Sequence, residues 1–118
     1  MSDLSAEDRK LVTLARATRA RTGAAEGAAV RDSDGRTYAA ATVDLPSLRL
    51  SALHACIAMA VASGSRGLEA AVVLTEAGSL APDDVAAARD LGGDVVVLHR
   101  GDPRGTVVET IAGSIAPD

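Results

Sequence analysis

The chain has 118 residues, with 16 acidic against 12 basic side chains and a formal net charge of -4; its isoelectric point is near 5.1. That length predicts one domain spanning residues 1–118, and the acidic balance excludes the basic face that a nucleic-acid footprint requires. Apolar residues make up 47%, yet there is no Phe, no Trp and only Tyr38 as an aromatic. The core must therefore come from Ala, Val and Leu with close backbone packing, and self-association is expected to add burial that a lone protomer lacks.

A single cysteine, Cys56, cannot form an internal disulfide, so nothing requires an oxidising compartment. The amino-terminal MSDLSAEDRK holds no apolar run of the signal-peptide kind. The longest apolar stretch falls short of the roughly 20 residues a membrane span needs, and Arg49 lies near its start. A cytoplasmic protein without membrane contact is the expectation. Lys10 is the sole lysine, and with the alanine excess this suits a GC-rich bacterial coding bias.

The first element is a helix. Ser5 followed by Asp8 resembles a capping box, and Leu11, Leu14, Ala15 and Thr18 repeat at helical spacing until Thr22-Gly23 stops the run. Arg16, Arg19 and Arg21 sit toward its carboxyl end, where positive charge complements the helix dipole. Two strand candidates follow, residues 27–31 and 36–44, joined by a tight Asp34-Gly35 reversal into an antiparallel hairpin. After Pro46, with Ser47 as possible cap, comes a nearly all-round apolar helix that Gly64 to Gly67 ends.

Residues 68–75 (LEAAVVLT) read as a strand covered on both faces. Pro82, Asp83 and Asp84 open another helix through Leu91, with proline and acids where an amino-terminal turn accepts them. Residues 94–99 (DVVVLH) form a second buried strand, parallel to the first because a helix crosses between them. A short loop at 101–105 then implies an antiparallel last strand over 106–110. The sum is an α/β fold with a mixed five-stranded sheet and flanking helices. Ligands in such sheets bind beyond the carboxyl ends of the parallel strands, here Thr75-Glu76 and His99-Arg100, with the central helix starting near the same edge.

Within the apolar helix, His54 and Cys56 are two residues apart and so point in different directions, which argues against a shared metal. Cys56 reads as a small core residue and His54 as a satisfied histidine or a pocket group. Asp83 and Asp84 read as first-turn charges; His99 and Glu76 are candidates for a pocket rim, where strand-end polar residues are usually solvated.

The order of elements and several strings resemble the cytidine deaminase family. They are Ala15 to Arg21, Gly27-Ala28-Ala29-Val30, Asp34-Gly35, Thr42-Val43-Asp44, Ala60-Val61-Ala62-Ser63-Gly64, the strand from Ala70, and the closing Val107-Val108-Glu109-Thr110-Ile111. The resemblance covers most of the chain and implies a three-layer α/β/α fold. It also implies zinc held by a Cys-Ala-Glu or His-Ala-Glu motif on the central helix and a Pro-Cys-x-x-Cys motif opening the next.

The chain departs from that pattern. The second motif's region reads Ser79-Leu80-Ala81-Pro82-Asp83-Asp84-Val85, without cysteine. Three registers of the first motif place Ser51 and Leu53, Leu53 and Ala55, or His54 and Cys56 at the ligand and glutamate positions. None supplies both groups, and no glutamate lies between Glu26 and Glu69. The resemblance puts Thr42 and Asp44 where the family grips the ribose.

The resulting expectation is a cytidine deaminase-like protein without catalytic residues, metal or cofactor, acting as a binding or interaction protein. Its expected partner is itself, as a dimer or tetramer, with a nucleoside or other small molecule in a residual pocket of Thr42, Asp44, Ser51, His54 and Glu76. Two alternatives stay open: an active nucleoside deaminase or related hydrolase with an atypical site, such as His54 with Asp44 or Glu76, and a structural subunit of an active enzyme.

Overall fold

The computed structural model of the protein describes residues 4–112. Helix α1 (Ala6–Thr22) starts where the Ser5 hydroxyl accepts the Asp8 N–H at 3.0 Å. It stops at Gly23, whose left-handed backbone (φ 66°) lets its N–H reach the Arg19 carbonyl. Leu11, Ala15 and Thr18 are its buried stripe, and Arg19 and Arg21 occupy the last turn as the sequence predicts. Asp8 completes only half of the capping box, because its carboxylate turns inward to His99 and Arg31.

The five-stranded sheet joins β1 (Gly27–Asp32), β2 (Thr37–Ala41), β5 (Leu68–Leu74), β6 (Val97–Gly101) and β7 (Val107–Ala112) in the order β2-β1-β5-β6-β7. Only β5 and β6 run parallel, linked through α3 (Pro82–Gly92). Period-two alternation sorts the small side chains into two layers. Ala28, Val30, Ala71, Val73 and Leu98 face α2 (Ala52–Ala62) and α3. Ala29, Ala70, Val72 and Leu74 meet Leu11 and Ala15 of α1. The result is the expected α/β/α sandwich.

A core of small residues works only if its layers approach closely. Gly27 shows how: a Cβ there would collide with the Ala15 carbonyl and the Arg19 side chain, so its absence sets the spacing between α1 and β1.

Several boundaries differ from the sequence reading. The strand predicted over 36–44 ends at Ala41, and a separate hairpin follows, β3 (Val43–Leu45) and β4 (Leu48–Leu50). Pro46-Ser47 is its two-residue turn, so Ser47 caps nothing; helix α2 begins instead at Ala52 behind Ser51. The Pro-fixed turn lets Leu45 pair with Leu48 across the ladder, which outcompetes an early helix start. The strand predicted over 94–99 begins at Val97, after a 3-10 turn at Gly93–Val95 that leaves Val95 exposed. The last strand runs two residues further than predicted, from Val107 to Ala112.

Candidate functional site

The carboxyl ends of β5 and β6 share one edge, and the 75–81 connection leads from β5 straight into the amino terminus of α3. Pro82 fixes the first turn of that helix and puts Asp84 on its inner side, where it is only 4% exposed. The amino terminus of α2 meets it there. The Ser51 hydroxyl donates to Asp84 Oδ1 at 2.6 Å while accepting the His54 N–H at 3.0 Å as the helix cap. His54 Nε2 lies 3.1 Å from the Asp83 carbonyl and 3.3 Å from Asp84 Oδ1. Asp84 is therefore a buried hydrogen-bond acceptor held between two helix starts. A solvated first-turn charge, the sequence reading, does not describe it.

The chemistry open to this cluster is narrow. A nucleophile needs its hydroxyl aimed at a base that a third group orients. Here the Ser51 proton points at a carboxylate, and the His54 ring reaches that same carboxylate oxygen instead of the Ser51 oxygen.

Zinc, which the resemblance implies, does not fit either. A tetrahedral site takes thiolates, imidazoles or carboxylates, at least three from the protein, whereas this cluster offers one imidazole, one carboxylate and a hydroxyl already engaged. Cys56 is fully buried on another side of α2, its thiol directed 3.7 Å from the Tyr38 carbonyl, and burial pushes its pKa up to about 12. Among the described residues no group of three or more His, Cys, Asp or Glu could hold a metal ion.

The other residues singled out from the sequence lie elsewhere. Thr42 and Glu76 come together in a cleft of about 340 Å³ shared with Arg19 and Glu26; there the Thr42 hydroxyl accepts the Glu26 N–H at 2.9 Å. Glu76 also borders a second cleft of about 470 Å³ with Arg100, Asp102 and Arg104. Asp44 is out on the β3–β4 hairpin, highly exposed and 3.4 Å from Arg49. The five residues thus occupy three places, with Ser51 and His54 the pair in direct contact.

Sequence reasoning missed the partner Asp84, although an aspartate two positions after a helix-opening proline was the available signal. It also missed a charged cluster on the α1 face. His99 is 4% exposed, in the middle of β6, and corrects the expectation of a solvated strand end. Its Nε2 lies 2.8 Å from Asp8 Oδ2 and its Nδ1 2.8 Å from the Thr110 hydroxyl. Arg31 approaches Asp8 at 3.0 Å and Glu69 at 3.0 Å. Burial by itself would raise the Asp8 carboxyl, but the hydrogen bonds and charges of His99 and Arg31 outweigh it and hold the group below the usual carboxylate range. The same carboxylates raise the Arg31 guanidinium against its own burial.

On the opposite face, fully buried Asp32 accepts from the Ser65 hydroxyl and from the N–H groups of Asp34 and Arg36. Burial would raise this carboxyl too; those donors and the Arg36 charge bring it below the ordinary value.

The family model described as "Cytidine deaminase-like" matches residues 4–105. Among solved structures, cytidine deaminase from Burkholderia pseudomallei superposes with a TM-score of 0.77 at 20% identity, covering 92% of this chain and 93% of that one. The Mycobacterium leprae enzyme gives 0.67 at 22% identity, covering 92% and 94%. The Mycobacterium tuberculosis enzyme gives 0.65 at 24% identity, covering 87% and 89%. Comparison with curated proteins finds no match. At these identities the structures speak for the fold, and the family model covers most of the chain: the protein belongs to the cytidine deaminase-like family.

Proposed function

We propose that this chain is a non-catalytic, metal-free member of its family that serves as a binding or interaction protein. One observation carries the reading: Ser51 donates to Asp84 and accepts the His54 N–H, and the His54 ring lies 3.3 Å from the same Asp84 oxygen, where the amino termini of α2 and α3 meet. That arrangement leaves no thiolate, no free hydroxyl and no glutamate to place a metal-activated water or shuttle its proton. The alternative of a hydrolase built on His54 with Asp44 or Glu76 loses support from the distribution of those residues over separate places.

A homo-oligomer in the cytoplasm is part of the proposal. Helix α2 carries no charged residue in eleven positions, yet Met59 and Val61 are exposed, as are Leu45 and Leu48 of the adjacent hairpin. A helix apolar all round is expected to be covered on every side. No helix among the described residues is long and apolar enough to cross a membrane.

The test is metal analysis of protein purified without chelator, together with spectrophotometric assay of cytidine. The reading expects zinc far below one per protomer and no loss of cytidine; stoichiometric zinc with deamination overturns it. Light scattering of the same sample checks assembly, and a monomeric mass removes the self-association part.

A further inference from the structure

Between α1 and the start of β7 lies a cleft of about 400 Å³ that differs from the clefts at the strand ends. Arg9 and Arg16 line it, and no described acidic side chain does. Seven residues apart on an α-helix, the two arginines fall on one face, about 10 Å from each other along the axis. Leu4, Val12 and Val107 supply apolar walls.

Arg31, Arg36, Arg49 and Arg100 each meet a carboxylate, and Arg9 and Arg16 are among the arginines that meet none among the described residues. Among the described residues Arg16 has no ion-pair or hydrogen-bond partner, and Arg9 gives one nitrogen to the Leu4 carbonyl at 2.6 Å. Of the two acids in the first turn of the helix, Glu7 and Asp8, neither lines the cleft, and Asp8 is turned inward and held by His99 and Arg31. Two guanidiniums facing one cleft with no counter-charge among the described residues lining it repel each other mildly, and an anion between them relieves that repulsion while filling their planar forks of donors.

The loop from β6 to β7 shapes the cleft. Gly105 has φ +100°, and a Cβ built there would stand 3.3 Å from Val12 Cγ1 and 3.4 Å from Arg16 Cδ. The loop backbone consequently rests on the stem of Arg16 and restricts where its guanidinium points.

We infer that this cleft binds a small organic anion, a carboxylate or phosphate monoester joined to an apolar body, with Arg9 and Arg16 on the anionic head and Leu4, Val12 and Val107 around the rest. The site lies on the α1 side of the sheet, so it is independent of the metal status of the Ser51–His54–Asp84 cluster.

Titration of the 15N-labelled protein with phenyl phosphate, benzoate and inorganic phosphate tests it. Saturable shifts of the amides of residues 9, 12, 16, 105 and 107 with phenyl phosphate or benzoate are expected, with inorganic phosphate several-fold weaker. Arg16→Gln should weaken binding about tenfold, while Arg21→Gln, on the same helix but outside the cleft, should leave it unchanged. Absence of saturable shifts with both organic anions overturns the proposal, as does equal weakening by the two variants, which would mean diffuse charge attraction. Inorganic phosphate binding as tightly as phenyl phosphate would remove the apolar body from it.

Discussion

Ser51 and Asp84, 33 positions apart in sequence, share a hydrogen bond of 2.6 Å that joins the amino termini of α2 and α3. The same serine oxygen caps α2, so one atom serves two helices. A cross-link made of light atoms stands at this junction, and its strength is measurable.

Ser51→Ala removes the cap and deprives buried Asp84 of its hydroxyl donor. The expected loss is about 2 kcal/mol of unfolding free energy, the sum of a typical N-cap and one charge-assisted hydrogen bond. Urea denaturation checks it; a change below a few tenths would mean the junction is held by something else. Ser51→Cys should not gain stoichiometric zinc, because the site still lacks enough ligands.

Asp32 gives the fold an acid-sensitive point. Its carboxyl is lower in the folded protein than the ordinary 3.8, so ionised Asp32 binds its partners better than the neutral acid does. The stability it contributes is complete above the unfolded value and drains away as pH falls through the folded value. Asp8, also depressed, adds to the same slope. Denaturation midpoints should hold near neutrality and fall below about pH 4, and Asp32→Asn should flatten that fall while costing about 3 kcal/mol at pH 7.

At the α1 face, Asp8→Asn leaves His99 and Arg31 facing a neutral amide. Breaking one partner of such a buried pair costs about 3 kcal/mol. Amide exchange of α1 should accelerate more than that of α3, since α1 is the helix tied down by these contacts. Equal acceleration in both helices would contradict this assignment.

Gly27→Ala places a methyl group against the Ala15 carbonyl and the Arg19 side chain. Backbone cannot yield as a flexible side chain does, so an expected loss of about 3 kcal/mol separates this position from a helix-surface glycine change. Thermal denaturation measures it.

Cys56 should resist thiol reagents. With its pKa pushed up to about 12 by burial, almost no thiolate exists at pH 8, and the side chain is fully covered. Reaction with a disulfide reagent should follow the urea unfolding transition; rapid labelling of native protein would show that the α2 core opens.

The sequence by itself determined the order of the three helices and of the five strands of the main sheet, the parallel relation of β5 and β6, and the shortage of thiolates. These follow from local signals, namely periodicity, glycine and proline punctuation, and residue counts, which need no distant partner. It also gave the core character of Cys56. Tertiary structure decided the rest. Ser51 became the cap because residues 43–50 closed into a hairpin, a competition between two local pairings that the pattern cannot rank. Asp84 and His99 looked solvent-facing within their own segments, and Asp8 looked like half of a capping box. Their burial depends on carboxylate and donor meeting across 33 or 91 residues, and such encounters arise only from packing one layer on another.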